Sequence, residues 1–247
     1  MRETSADPDA EFHRANAEAT RHLAEQAAVA GVKRLVFLSS IKVNGEATAG
    51  RPFTEADPPA PQDAYARSKL AAEAALWAVS ERSGLEVVVI RPPLVYGPGV
   101  KANFLRLMRL IAKGVTLPFG SAENRRSLVG IWNLCDLIAC CVRHPAAAGE
   151  TFLVSDGRDV SSAELVRLLA SGMGRPVRLL PIPAGVLLSA AHMIGRGGPV
   201  ERLFGSLQVD PSKADRVLGW RPPVPVEEGL RRTALWFVET EGRGEWR

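Results

Sequence analysis

Apolar positions in the first thirty residues recur at helical spacing. Phe12, Ala15, Ala19, Leu23 and Ala27 or Ala30 fall on one stripe of a 3.6-residue helix. Asp7 can cap this helix, Pro8 suits its first position and Gly31 its end, so the pattern predicts a helix over 8–30. "KRLVFLSS" (33–40) then predicts a short buried strand, and 41–60 reads as a loop with Gly and Pro. A second helical stretch runs from Pro61 to Ser83 and stops at Gly84. "LEVVVIRP" (85–92) is another uninterrupted apolar strand. This alternation of helix and buried strand belongs to a parallel sheet covered on both faces.

The later part changes character. "ANFLRLMRLIAKG" predicts a helix, "SLVGI" a short strand, "NLCDLIACCVRH" a helix that Asn133 can cap, and "ETFLVSD" a strand. Ser161 with Glu164 has capping-box spacing at the head of "AELVRLLASGMG". "PVRLLPIP" predicts a strand, and "PSKADRVLG" and "VEEGLRRTALWFVE" close the chain as helices. The Pro-rich stretches at 58–61, 92–98 and 222–225 read as loops, and the sequence holds no repeat.

Composition adds bounds. At 247 residues, 46% hydrophobic and 23% charged, the chain is ordinary globular material. A chain of this length buries roughly 70–75% of its unfolded surface, so its core needs no staples. The net charge of +4 is carried by 25 Arg against six Lys. No Lys/Arg run reads as a nucleic-acid patch, and an excess of Arg suits phosphate-bearing small molecules. Cys135, Cys140 and Cys141 lie on one apolar helical stretch and read as buried reduced thiols. The opening "MRETSADPDAEF" is too polar for a signal peptide. The longest apolar run, "AGVLLSAAHMIG", is far short of the roughly 20 residues of a membrane span. The expectation is a cytoplasmic protein with neither membrane nor nucleic acid as partner. His13, His22, His144 and His192 are scattered and read as structural or exposed.

Ser40 lies at the carboxyl end of the first strand, the edge where open α/β sheets bind ligands. Tyr65 and Lys69, four apart, share one face of the next helix, about 5–6 Å apart at Cβ. Alone, they read as readily as a solvated pair. With Ser40 they suggest a proton-transfer device. Lys69 would lower the Tyr65 pKa from its usual ~10. The phenol would then exchange a proton with a substrate hydroxyl or carbonyl, and Ser40 would hold the same oxygen. A hydride acceptor must supply the other half.

"LVFLSSIKVNG", "YARSK", "VVIRPPLVYGPG" and "DPSKADRVLGW", in that order and over nearly the whole chain, resemble the extended short-chain dehydrogenase/reductase family. The nearest branch is its NAD-dependent nucleotide-sugar epimerases and dehydratases. The resemblance implies a Rossmann-type parallel sheet in residues 1–100. It implies a smaller α/β substrate-binding part in 101–247, with some segments returning to the sheet. NAD rather than NADP is the implied cofactor, a nucleotide sugar the substrate and a homodimer a possible assembly. Ser40, Tyr65 and Lys69 take the catalytic positions, with Tyr65 and Lys69 also at the cofactor. Asn16, in "NAEAT" with Ala19 where Gly is usual, falls near the cofactor, and Pro92 and Pro93 fall beside the nicotinamide through their backbone. Asn103 and Arg126 match positions that hold the nucleotide, with the Arg126 fork toward the diphosphate. Without the resemblance, Asn103 reads equally as an N-cap for "FLRLMRL" and Arg126 as a surface charge. Gly130 and Trp132 replace the usual Tyr and Asp, which bears on packing more than on chemistry. The implied activity is a UDP-sugar 4-epimerase. A dehydratase or 4-ketoreductase would share the same residues, and a non-catalytic fragment is the contrasting class.

The family opens with strand, Gly-x-x-Gly-x-x-Gly and helix, the turn that seats the pyrophosphate. No such glycine spacing occurs in the 247 residues. The expectation is an N-terminally truncated sheet short of about 60–80 residues. Met1, Arg2, Glu3 and Thr4 would then continue from a strand, and the strand "RLVFLSS" would have an open edge.

Overall fold

Five strands form two parallel groups in the computed structural model, which describes residues 7–183, 185–187, 189 and 204–241. They are β1 (Arg34–Leu38), β2 (Glu86–Arg91), β3 (Leu94–Tyr96), β4 (Leu128–Gly130) and β5 (Thr151–Leu153). One sheet runs β1-β2-β5, with Arg34 opposite Glu86, Leu38 opposite Ile90 and Val89 opposite Thr151. The other pairs β3 with β4. The helices are α1 (Pro8–Phe12), α2 (Ala19–Val29), α3 (Ala64–Ser83), α4 (Ala102–Ala112), α5 (Ile131–Arg143), α6 (Ser162–Gly172), α7 (Ser212–Leu218) and α8 (Val226–Thr240). This is the parallel α/β arrangement of a Rossmann-type fold that the alternation predicts.

The central strand β2 shows why. Alternate side chains on a strand face opposite ways. Val87 and Val89 pack with Ala24 of α2 and Leu76 and Val79 of α3. Val88 and Ile90 pack with Leu134 and Leu137 of α5 and Leu218 of α7. Both faces are covered, so the strand is apolar throughout. β1 departs from the buried strand read from its sequence. It is only half-buried, and Leu38 is exposed. Among the described residues it pairs with β2 alone, so one edge and part of each face lack neighbours.

A second core joins the β3–β4 pair to α4, α6 and α8 through Tyr96, Phe104, Met108, Leu169 and Phe237. The Tyr96 hydroxyl donates to Asp156 Oδ2 at 2.6 Å and lies against Gly130 and Gly229, where a Cβ on Gly229 would collide with it. Tyr96 and Trp132 lie beside Gly130, 3.4 Å from where a Cβ would stand.

The first helical segment starts as predicted, with Asp7 Oδ1 accepting from the Ala10 N–H at 3.0 Å. Its buried stripe differs. Phe12, Ala17 and Ala24 are buried, whereas Ala15, Ala19 and Leu23 are exposed. Residues His13–Glu18 form a π turn between α1 and α2, with the Ala19 N–H reaching back to Arg14. A π turn takes one more residue than an α turn. The core contact therefore passes from Phe12 to Ala17, and every later position shifts face.

Other boundaries follow their caps. α3 begins at Ala64, not Pro61, because Asp63 Oδ1 accepts from the Ala66 N–H at 2.7 Å. It ends at Gly84, whose φ of 74° suits glycine. Asn133 does not cap α5, since Gly130 holds that position. Asn133 is buried within the helix and bonds Asp156 and the Val224 backbone. Asn103 is not a cap either, because Lys101 holds the N-cap position of α4. "PVRLLPIP" forms only a single bridge from Leu179 to Leu117, in a stretch whose prolines have no N–H to pair. Ser161 accepts from Glu164 N–H at 3.0 Å, but the Glu164 carboxylate turns to Arg158. Of the three thiols only Cys141 is buried, and Cys135 is exposed because it falls on the outer face of α5. His13 and His22 are exposed, and His144 is partly buried. His192, most of the run at 184–195 and Met1 to Thr4 lie outside the described residues. Among the described residues, no helix is long and apolar enough to cross a membrane. No group of three His, Cys, Asp or Glu side chains there is arranged to hold a metal ion.

Candidate active site

Sheet pairing continues past the ends of the strands and fixes Ser40. Ser39 N–H donates to Ile90 O at 2.8 Å, and Ile41 N–H to Pro92 O at 3.0 Å. Residues Ile41–Val43 then turn in a short 3-10 helix, with Ser40 Oγ accepting from the Lys42 N–H at 3.3 Å. Beneath the turn lies a buried polar network. Arg91 donates to both carboxylate oxygens of Glu73, at 3.0 and 2.5 Å, and to Asn44 Oδ1 at 3.0 Å. The Ser39 hydroxyl donates to the same glutamate. The network ties β2, α3 and the serine turn together.

Tyr65 is the second residue of α3 and is partly buried, with the Phe12 ring edge-on at 5.9 Å. The Ser40 hydroxyl lies near enough to bear on its phenol. Burial pushes the phenol pKa above its ordinary value. The charge of Lys42 pulls it down, Asp63 pushes it up and the Ser40 hydroxyl lowers it. The Lys69 ammonium turns toward the strand end, donating to Leu38 O at 2.9 Å. It lies 4.6 Å from the Phe37 ring centroid and 5.9 Å from that of Tyr65. Burial lowers the pKa of Lys69 itself, and Glu73 opposes that shift.

Asn16 sits in the π turn and donates to Ser68 Oγ at 2.9 Å, and Ser68 in turn donates to Tyr65 O at 2.7 Å. Pro92 and Pro93 are buried at the exit of β2, with the Pro92 carbonyl engaged by Ile41. The structure thus brings Ser40, Tyr65, Lys69, Asn16 and Pro92 to one sheet edge. Asn103 and Arg126 belong to other elements. Asn103 is exposed in the first turn of α4. Arg126 is partly buried, pairs through its backbone with Val160 and donates from Nη1 to Gly205 O at 3.0 Å. Burial lowers its pKa.

Lys42 is the charged neighbour that sequence reasoning missed. Its ammonium meets Asp63 Oδ2 at 2.5 Å and Glu46 Oε1 at 2.8 Å. The Lys42–Glu46 spacing of four was visible in the sequence, but the bond to Asp63 crosses a 20-residue loop whose path was not.

The edge fits one end of a dinucleotide. Lys69 and Tyr65 offer donors at the carboxyl end of β1, where a ribose and its attached ring can lie, and the buried prolines flank it. No Gly-x-x-Gly-x-x-Gly turn is present in the sequence to hold a pyrophosphate.

A parallel sheet with Ser, Tyr and Lys gathered at its carboxyl edge defines a dehydrogenase-like class. The chain belongs to the NAD dependent epimerase/dehydratase family, whose model matches residues 2–155. It is 49% identical over 245 residues to a UDP-glucose 4-epimerase of Vibrio cholerae, covering 98% of this chain and 75% of that protein. Among solved structures it resembles DesIV, a dTDP-glucose 4,6-dehydratase from Streptomyces venezuelae with NAD bound. There the identity is 28%, the TM-score 0.74, and the match covers 96% of this chain and 70% of the other. The UDP-glucose 4-epimerase of Thermotoga maritima with UDP-glucose shares the fold at 24% identity and TM-score 0.74, over 94% and 72% of the two chains.

Proposed function

We propose that these residues form the acid/base part of an NAD-dependent UDP-sugar 4-epimerase. The observation that carries the reading is the placement of Ser40 beyond β1, Tyr65 at the head of α3 and Lys69 donating to the end of β1 at one edge of the sheet. NAD, when bound, supplies the hydride chemistry. Tyr65 exchanges a proton with the sugar oxygen that gains or loses it. Ser40 holds the same oxygen and orients the phenol, and the packed Phe12 ring excludes water from one side. Lys69 holds the ribose from the strand end. Asn16 fixes α3 through Ser68, and Pro92 and Pro93 shape the floor beside the cofactor ring. Asn103 and Arg126 hold the nucleotide, with residues 101–247 as the substrate part and 1–100 as the dinucleotide part, to which β5 returns. A cytoplasmic setting and a homodimer through helices beside α3 belong to the same reading. The identity to the Vibrio cholerae enzyme supports epimerase, and the likeness to DesIV supports dehydratase as the second reading.

The test is product analysis by NMR on the gene product that carries these residues, given UDP-galactose and NAD. UDP-glucose as product supports the epimerase, and a 4-keto-6-deoxy sugar supports the dehydratase. Tyr65→Phe should lower turnover by roughly 10²–10⁴, the range of a positioned acid/base. Unchanged turnover in that variant removes Tyr65 from the mechanism.

A further inference from the structure

Ser40 stands just past the end of β1, and sheet pairing holds only one side of it. The Ser39 and Ile41 N–H groups bond to Ile90 and Pro92 at the end of β2, and among the described residues β1 has no other strand beside it. Further restraint comes from α3. Tyr65, Lys69 and Glu73 follow one another at intervals of four along one face of that helix. Lys69 donates to the carbonyl of Leu38, and one turn further on Glu73 accepts the hydroxyl of Ser39. The helix therefore grips the two residues immediately before Ser40. The far side of the turn is held as well. Asn44 closes the 3-10 turn Ile41–Val43, its side-chain oxygen accepts from Arg91 at 3.0 Å, and its amide donates to Thr54 O at 3.2 Å. Arg91 in turn donates to both oxygens of Glu73. One ion pair thus reaches both flanks of the serine turn, residue 39 through the carboxylate and residue 44 through the guanidinium.

Ser39, Asn44, Glu73 and Arg91 are all buried, so water does not stand in for any of these bonds. Stability alone does not account for such a pair, because well-packed apolar residues of similar volume often serve as well or better. What the pair fixes is geometry. A guanidinium holds its N–H donors in one rigid plane, so the two that meet Glu73 set the direction of the third, which meets Asn44. We propose that Ser39 and Asn44 are positioning residues for Ser40, clamping the turn on both sides to the Glu73–Arg91 pair so that Ser40 keeps a fixed place relative to α3. The clamp rests on the distances above, and it rests on the epimerase reading for what Ser40 does.

The test uses neutral substitutions, which leave both members of the ion pair in place. Ser39→Ala removes the hydroxyl and Asn44→Ala the amide. On the gene product that carries these residues, hydrogen exchange followed by NMR should show the Ile41 and Asn44 amides exchanging about tenfold faster in either variant. Those amides donate to Pro92 O and Ile41 O, whereas Val89, whose N–H donates to Glu150 O, should keep its rate. In turnover of UDP-galactose with NAD, each variant should lower kcat by roughly 10–100-fold and leave KM nearly unchanged. Ser40→Ala then closes a double-mutant cycle. A residue that acts through Ser40 has nothing further to lose once that hydroxyl is gone, so Ser39→Ala/Ser40→Ala should turn over no more slowly than Ser40→Ala. A merely structural loss would lower kcat by the same factor in both backgrounds. That equal factor overturns the proposal, and so do unchanged rates at Ile41 and Asn44 in both variants. The exchange measurement needs neither NAD nor sugar. Faster exchange in a protein that forms no UDP-glucose would therefore fault the function assigned above and leave the clamp standing.

Discussion

Glu73→Ala should destabilise the protein by about 3–5 kcal/mol, the cost of removing one partner from a buried ion pair. The structure supports that range. The side chains of Glu73 and Arg91 are only 3% and 8% exposed, so water cannot replace the lost carboxylate. The substitution removes two of the three described hydrogen bonds of the guanidinium and the acceptor of the Ser39 hydroxyl, leaving Asn44 as the remaining partner. Two hydrogen bonds to a charged group at about 1.5–3 kcal/mol each give a similar sum. Urea unfolding followed by tryptophan fluorescence measures it. With a slope of about 2 kcal/mol/M, the midpoint should fall by about 1.5–2.5 M. The double variant Glu73→Leu/Arg91→Met should recover most of the loss, because both charges are gone. A loss below about 1 kcal/mol in Glu73→Ala, or simple additivity in the double variant, would refute the coupling.

Arg126→Ala should raise KM for a UDP-sugar and leave NAD affinity nearly unchanged. The reverse outcome in steady-state kinetics and calorimetry would move Arg126 to the cofactor half of the site. Residues 1–247 alone should bind NAD weakly, since no Gly-x-x-Gly-x-x-Gly turn is present, and a tight stoichiometric calorimetric signal would show that other residues cradle the pyrophosphate. Burial pushes the Cys141 thiol up to about 12, so a thiol reagent at pH 8 should label exposed Cys135 first and Cys141 only on unfolding. Peptide mapping by mass spectrometry reads that order.

Local signals in the sequence were read correctly where one or two residues decide the structure. Asp7 began a helix and Gly84 ended one because caps act over a single turn. The uninterrupted apolar run of β2 marked a central strand because both of its faces are covered. The failures involve partners distant in sequence. Asn133 has the residue type of a cap, but its amide bonds Asp156 and Val224, 23 and 91 residues away. The Lys42–Asp63 bond at the head of α3 went unseen because it needs the loop path, whereas the Tyr65–Lys69 spacing of four is visible. The motif residues Ser40 and Tyr65 stood out in the sequence, but how close they lie depends on how β1 and α3 pack. "PVRLLPIP" has strand composition but no sheet edge to join beyond one bridge.

The π turn at His13–Glu18 also makes length a matter of consequence for the site. It stores one residue beyond what a uniform α-helix needs between two buried ends. Deleting Ala15 would take out that surplus and let the segment close into a regular α-helix in which Phe12 and Ala24 keep their faces, one against Tyr65 and the other in the sheet core. A second residue lost from the same window has no surplus to draw on and turns one end against the other by about 100°. One codon lost in this short window should therefore be tolerated far better than two.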